Sequence, residues 1–123
     1  MEKRVLLIED EPSIIEAIRF ILTRDGWSVQ THSNGVNAAE RVREGPPDVV
    51  ILDVMLPGRS GFDILEELRA DPATAGLPVL VLTARGQSAD RDRAERSGAS
   101  RYMTKPFSNA DILAAVNALA GPE

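Results

Sequence analysis

Side chains that could take part in chemistry follow four of the chain's apolar runs. The runs are residues 5–8, 49–52, 79–82 and 101–103, and the side chains after them are those of Glu9, Asp10 and Glu11, then Asp53, Thr83 and Lys105. This set suits a phosphoryl group, because a cation and the ammonium would neutralise its oxygens, the hydroxyl would donate a hydrogen bond and a carboxylate would attack the phosphorus. Each residue is ordinary by itself, and only the set indicates this chemistry.

The carboxylates also form a candidate metal site. Carboxylates that lie close together repel one another, and a bound cation offsets the repulsion. Because the set offers oxygen ligands and neither His nor Cys, a hard ion with bound water, such as Mg²⁺, fits best. Acidic residues also favour helix N-termini for electrostatic reasons alone. That explanation suffices for Glu11 and is weaker for Asp53, which adjoins a buried strand, so the residues alone leave both readings open.

The elements that must position these residues alternate along the chain. The runs at 5–8, 49–52 and 79–82 are continuous, which is typical of strands buried on both faces of a parallel sheet. A weaker run lies between Trp27 and Thr31. With a helical pattern after each run, five strand–helix units predict one three-layer, doubly wound α/β domain over residues 1–123, a (βα)5 fold with parallel strands in the order 2-1-3-4-5.

This strand order would bring the candidate residues together. Strands 1 and 3 are neighbours in it, so Glu9, Asp10 and Asp53 would meet at one edge of the sheet. Thr83 and Lys105 would lie at the same edge, since they follow strands 4 and 5. Ligands of open α/β sheets bind at the carboxyl ends of the strands, where strand order reverses.

Local signals give the bounds of the helices. They predict a first helix from Pro12 to just before Gly26, a second from Asn34 or Gly35 to near Gly45, a third capped by Ser60 and a fifth capped by Ser108. The fourth, around residues 88–97, has only Ala89 and Ala94 as apolar residues. A helix with so little apolar surface to bury should be loosely held, and we expect it to be the most mobile element.

Composition narrows the class of protein. The 123 residues suit one domain, and a hydrophobic fraction of 43% excludes wholesale disorder. A formal charge of −5 argues against direct nucleic-acid binding, and the absence of Cys excludes disulfides and thiolate chemistry. No stretch approaches the ~20 apolar residues of a membrane span. We therefore expect a cytoplasmic protein with no membrane or nucleic-acid partner.

Four short motifs resemble those of a known family. They are residues 5–12 (VLLIEDEP), residues 53–58 (DVMLPG) with Gly61, the pair Thr83-Ala84, and residues 102–107 (YMTKPF). Together they resemble the receiver domain of two-component response regulators. The resemblance covers essentially the whole chain, and four motifs in this order at these spacings are highly specific.

The resemblance implies a role for each matching residue. Asp53 would be the phosphoacceptor, attacking a phosphohistidine on a sensor histidine kinase or a histidine phosphotransfer protein. Asp10 would bind Mg²⁺, or Mn²⁺ in its place, directly, and Glu9 would bind it through water. Asp53 and the backbone carbonyl of Met55 would complete the protein ligands, and Lys105 would pair with a phosphoryl oxygen.

The resemblance also implies a conformational switch. Thr83 would move to hydrogen-bond the phosphoryl group, Tyr102 would swing into the space that Thr83 leaves, and the Lys105–Pro106 peptide bond would be cis. Phosphate shifts a balance between two states only through contacts that it makes better in one of them. With the weakly packed fourth helix beside Thr83, we expect helix 4, strand 5 and helix 5 to control a partner protein or an output domain.

Two further positions bear on how long the phosphoryl group lasts. Met55 and Arg85 lie two residues beyond Asp53 and Thr83. In receivers these positions flank the path of attacking water. A bulky Met55 and a long Arg85 should hinder that water, which predicts a comparatively stable phosphoryl form.

One departure from the family concerns self-association. Receivers linked to winged-helix DNA-binding domains often carry acids before the tyrosine and arginines in helix 5, which pair between subunits. Here Ser100 and Arg101 precede Tyr102, and helix 5 has no basic residue. We therefore expect a monomer or a weak dimer.

Other functional classes fit the residues less well. A small Mg²⁺-dependent phosphotransferase or phosphatase with Asp53 as nucleophile would usually carry a second acid two residues later, where this chain has Met55. A flavodoxin-type redox carrier would need a Gly/Ser/Thr-rich loop after strand 1, where this chain is acidic. We therefore expect a switch that catalyses only its own phosphorylation and dephosphorylation, with no external substrate.

Overall fold

Parallel strands form the centre of the protein, for which a computed structural model describes residues 3–84 and 88–121. Over these residues the strands are β1 (Lys3–Ile8), β2 (Trp27–His32), β3 (Val49–Asp53), β4 (Val79–Thr83) and β5 (Arg101–Thr104). The helices are α1 (Pro12–Arg24), α2 (Ala38–Glu44), α3 (Gly61–Ala70), α4 (Ser88–Ser97) and α5 (Asn109–Ala120). The sheet order is β2-β1-β3-β4-β5 with every pairing parallel, which confirms the predicted doubly wound α/β fold.

The core lies on both faces of the sheet. Every residue of β3 and β4 is buried, as the continuous apolar runs predict. Alternate strand residues point to opposite faces and belong to two apolar clusters. One cluster packs against α2, α3 and α4 and includes Phe62. The other packs against α1 and α5 and includes Trp27. None of the described helices is long and apolar enough to cross a bilayer.

Local capping signals set the start of three helices as predicted. Pro12 is the first residue of α1. The hydroxyl of Ser60 accepts a hydrogen bond from the Phe62 N–H at 3.2 Å, and that of Ser108 accepts one from the Asp111 N–H at 3.0 Å. Each cap satisfies a backbone donor that has no partner within its helix.

The start of the second helix differs from the prediction. It begins at Ala38, later than the predicted Asn34 or Gly35. The Val36 N–H donates to the Asn34 side-chain oxygen at 2.8 Å, and Asn37 adopts a left-handed φ of 62°. These residues therefore form a turn with its own hydrogen bonds, and the helix starts only after it.

Within the part of the chain that the structure describes, helix α4 contributes one small residue to the apolar core and contacts α3 through polar side chains. Ala94 is its buried residue within the apolar cluster. The Ser97 hydroxyl donates to the Glu66 carboxylate at 2.9 Å, and the Arg93 guanidinium lies 4.4 Å from the centre of the Phe62 ring. This packing agrees with the small apolar surface predicted for α4, and its mobility stays a prediction.

Candidate functional site

The strand order brings the three candidate metal ligands to one place. Strands β1 and β3 are paired with Ile8 opposite Leu52, so the residues that follow them emerge side by side. One carboxylate oxygen each from Glu9, Asp10 and Asp53 lies within 4.8 Å of the others. Three oxygen donors this close suit a hard divalent cation such as Mg²⁺.

Among the described residues, the ammonium group of Lys105 faces this cluster. Lys105 Nζ lies 2.9 Å from Glu9 Oε1, 3.4 Å from Asp53 Oδ2 and 3.7 Å from Glu11 Oε1. The Glu9 side chain is 0% exposed and that of Lys105 12%, whereas Glu11 lies at the surface as the N-cap of α1. The other Glu9 oxygen accepts the backbone N–H groups of Asp10 and Glu11 at 3.0 and 3.2 Å. The ion pair with Glu9 is therefore the most buried contact of the site.

Burial and charge oppose each other at this pair. Burial raises the pKa of Glu9 above its usual range and the charge of Asp53 adds to the effect, although Lys105 and the Glu11 N–H act against it. Burial would lower the pKa of Lys105, but the carboxylates around it outweigh that effect and raise the pKa. Three clustered carboxylates against one ammonium leave an excess of negative charge, which a bound divalent cation would neutralise.

Asp53 sits at the junction of β3 with the loop that leads to α3. Its side chain is 2% exposed, and its Oδ1 accepts the Met55 N–H at 3.1 Å. Gly61, the first residue of α3, lies against the end of β3, because a Cβ there would fall 2.7 Å from the Val54 Cα and in contact with the Asp53 carbonyl. The first residue of α3 therefore packs directly against the backbone at the end of β3.

The predicted switch residues Thr83 and Tyr102 lie on β4 and β5, and Lys105 follows β5. Thr83 is buried at the end of β4, and its carbonyl accepts the Lys105 N–H at 2.7 Å. The Lys105–Pro106 peptide bond is cis. Tyr102 is half-buried and packs against the apolar cluster that includes Phe62. Thr83 and Lys105 are therefore joined directly, and Tyr102 lies on the strand beside them.

One of the two positions expected to govern phosphoryl lifetime lies among the described residues. Met55 is 63% exposed, and its backbone N–H donates to Asp53. Arg85 lies outside the described residues. The lifetime itself stays a prediction.

Sequence reasoning missed a cleft beside the site. It has a volume of about 410 Å³, adjoins Lys105 and Glu11, and its apolar lining includes Ile14, Ala17 and Phe107. Ile14 and Ala17 are three residues apart on α1, so they share one face of that helix. This spacing was the available signal, but it is also typical of residues in a core.

Comparison with known proteins gives the family. Residues 5–117 match the family model of the response regulator receiver domain. The phosphate regulon transcriptional regulatory protein PhoB of Rhizobium meliloti is 40% identical over 119 residues, which are 97% of this chain and 52% of that protein. The transcriptional regulatory protein KdpE of Mycobacterium tuberculosis is 46% identical over 114 residues, 93% of this chain and 49% of that protein. The chain thus spans about half the length of these curated relatives.

Solved structures agree in fold. The chemotaxis response regulator CheY4 of Vibrio cholerae superposes with a TM-score of 0.90 at 25% identity, covering 97% of this chain and 99% of that one. The receiver domain of the sensor histidine kinase PA1611 from Pseudomonas aeruginosa has a TM-score of 0.90 at 26% identity, covering 99% and 100%, and a magnesium ion is coordinated in its active-site cleft. This chain therefore belongs to the response regulator receiver domain family.

Proposed function

We propose that this chain is a phosphorylation-controlled switch of the cytoplasm. Asp53 accepts a phosphoryl group from a phosphohistidine on a sensor histidine kinase or a histidine phosphotransfer protein, in a Mg²⁺-dependent reaction. The observation that carries the proposal is the position of the Lys105 ammonium, 2.9 Å from Glu9 and 3.4 Å from Asp53. A cation held against two buried carboxylates can exchange one of them for an oxygen of an incoming phosphoryl group.

The chemistry assigns each residue one task. An Asp53 carboxylate oxygen bonds to phosphorus as the bond from phosphorus to the donor imidazole breaks. Lys105 pairs with one phosphoryl oxygen, and the Thr83 hydroxyl donates to another. Asp10, Asp53 and the Met55 carbonyl would hold Mg²⁺ directly and Glu9 would hold it through water, and the bound ion would neutralise charge on the phosphoryl oxygens.

The surroundings of the site fit two kinds of partner. The apolar cleft beside Lys105 offers a concave surface on which the phosphodonor protein can dock. On the other side, Tyr102 packs against the apolar cluster that includes Ala94 of α4, and polar side chains of α4 contact α3. We propose that α4, β5 and α5 form the face that changes on phosphorylation and controls a partner protein or an output domain.

The test is the uptake of one phosphoryl group. We expect the mass of the protein to increase by one phosphoryl group on incubation with acetyl phosphate and Mg²⁺. A chelator should prevent the increase, and so should Asp53→Asn, whereas Asp63→Asn, which removes an exposed carboxylate of α3, should label like the wild type. Labelling that persists in Asp53→Asn would contradict the assignment of the phosphoacceptor.

The lifetime of the phosphoryl group depends on Met55 in this proposal. Replacing that exposed side chain by a small polar one, Met55→Asn, should admit water and speed dephosphorylation, measured as loss of the added mass after the acetyl phosphate is removed. An unchanged rate would show that Met55 does not shield the phosphoryl group.

The enzyme alternative is not favoured. A phosphatase or phosphotransferase with an Asp53 nucleophile needs a general acid near the leaving group, and the residue two positions on is Met55. Turnover of a small phosphomonoester by the wild type, lost in Asp53→Asn, would favour that alternative instead.

A further inference from the structure

An ion network on α2 and α3 reaches the loop that follows Asp53. Each carboxylate oxygen of Glu67, on α3, binds a different arginine: Oε1 binds Arg59 Nη1, and Oε2 binds Arg43 Nη2 at 2.8 Å. Arg43, in the last turn of α2, also binds Asp71 through Nε at 2.7 Å. Because Arg59 belongs to the loop of residues 54–60, the network ties that loop to both helices.

A second contact holds the same loop from the side of α2. The Gly35 N–H donates to the Pro57 carbonyl at 2.8 Å. A Cβ on Gly35 would lie 2.7 Å from the Arg59 Cβ, so the backbones of the two loops touch. Gly35 precedes α2, which carries Arg43. The contacts therefore close a ring that runs from the loop through α3 and α2 and back to the loop.

This loop carries groups that Asp53 depends on. Its Met55 N–H donates to Asp53 Oδ1, and the Met55 carbonyl is a proposed cation ligand. The loop has no helix or strand. Val54 at its start is buried in the apolar cluster and Leu56 packs against that cluster partly buried, whereas Met55 is exposed. A shift of the loop would therefore move a donor to Asp53 and a cation ligand together.

We propose that Arg59 is a positioning residue, and that its ion pair with Glu67 fixes the loop for cation binding beside Asp53. This inference rests on the proposed function. Exposed ion pairs contribute little to global stability, so we expect a local effect on the loop and the cation. Arg59 could instead act on the cation by charge alone, and then removing Arg59 and removing Glu67 would change the affinity in opposite directions.

The variants Arg59→Gln, Glu67→Gln and their double mutant separate positioning from charge. Mg²⁺ affinity is measured by titration calorimetry, and loop order by amide hydrogen exchange over residues 54–60. Asp71→Asn is the matched control, because it removes a carboxylate of the same network that does not bind Arg59. Arg41→Gln removes an arginine of α2 that donates to Gln30 instead.

Positioning predicts that both single variants and the double variant weaken Mg²⁺ binding in the same direction. We expect about threefold to tenfold, at or below the effect of groups that orient metal ligands directly. The effects of the two single variants on Mg²⁺ affinity should not add in the double variant. Amide hydrogen exchange should become faster over residues 54–60 and stay within about twofold of the wild type in the sheet. Both control variants should stay within about twofold of the wild type in Mg²⁺ affinity and in exchange. Opposite effects of Arg59→Gln and Glu67→Gln, or affinities equal to the wild type, would overturn the inference. A wild type that binds no Mg²⁺ and takes up no phosphoryl group would instead overturn the proposed function and, with it, this role.

Discussion

At the scale of single residues, the central feature of the site is the buried carboxylate of Glu9, whose charge is balanced by the ammonium group of a lysine. Glu9 is fully buried, and Lys105 is the ammonium that faces it. Replacing that lysine by an apolar side chain, Lys105→Met, leaves the carboxylates of Glu9 and Asp53 without the ammonium group. In metal-free buffer we expect the free energy of unfolding to fall by about 1–3 kcal/mol, the usual effect of leaving a buried polar group unsatisfied. Urea denaturation with and without Mg²⁺ measures this, and Mg²⁺ should restore more stability to the variant than it adds to the wild type.

Lys3 offers a matched control for that change. It lies 3.8 Å from Asp25, with 29% of its side chain exposed. Because water solvates both groups of this pair, Lys3→Met should cost less than about 1 kcal/mol. Equal losses in the two lysine variants would show that burial of Glu9 does not make the Lys105 contact special.

The other residue-scale constraint is the missing side chain of Gly61. A methyl group at Gly61 would overlap the backbone of Asp53 and Val54, and backbone cannot rotate away as a side chain can. Gly61→Ala should therefore destabilise the fold by about 1–3 kcal/mol, as overpacking does, and weaken Mg²⁺ binding as well. Gly45→Ala is the control, since a Cβ there meets no atom within 4 Å. Thermal unfolding and Mg²⁺ titration of the two variants test this, and equal stability would refute the close approach of α3 to β3.

At the scale of elements, α4 is the helix with the least apolar anchorage. It has Ala94 as its buried residue in the apolar cluster, whereas α1 buries Ile18 and Leu22. Amide hydrogens of residues 90–97 should therefore exchange faster than those of α1. Acetyl phosphate with Mg²⁺ should change the protection of α4 and leave that of α1 unchanged. Equal protection of both helices in both states would contradict the role of α4 in the switch.

The elements also show what the sequence could and could not predict. The caps Ser60 and Ser108 were predictable, because a cap bonds a backbone group two or three residues away. The meeting of the carboxylates was predictable as well, since it follows from strand order alone. The start of α2 was not, because Gly35 is bound to Pro57, a residue distant in the chain. The Arg43–Glu67–Arg59 network was not predictable for the same reason, because the charge of a surface residue does not show which distant residue it pairs with.

At the scale of the whole molecule, ionisable groups at two places affect stability in opposite senses. Hydrogen bonds from Arg59 and Arg43 hold the pKa of Glu67 below its ordinary value of 4.5. Burial holds the pKa of Glu9 above the same value. As pH falls below 4.5, the unfolded chain takes up a proton at Glu67 before the folded protein does, so the stability from Glu67 is lost. As pH rises above 4.5, Glu9 ionises first in the unfolded chain, so metal-free protein loses stability there.

The contribution of Glu67 to stability can be measured from how the free energy of unfolding changes with pH in the wild type and in a variant. Glu67→Gln should lower the free energy of unfolding by about 0.5–1 kcal/mol near neutral pH, the range of partly exposed ion pairs. The difference from the wild type should shrink as pH falls below 4.5 and vanish once folded Glu67 is protonated, because a protonated carboxyl resembles the amide that replaces it. Urea denaturation across this range measures it, with Glu16→Gln, an exposed carboxylate of α1, as the control. A difference between wild type and Glu67→Gln that stays constant with pH would mean that the two arginines do not stabilise the ionised carboxylate. The network could not then hold the loop beside Asp53 by charge.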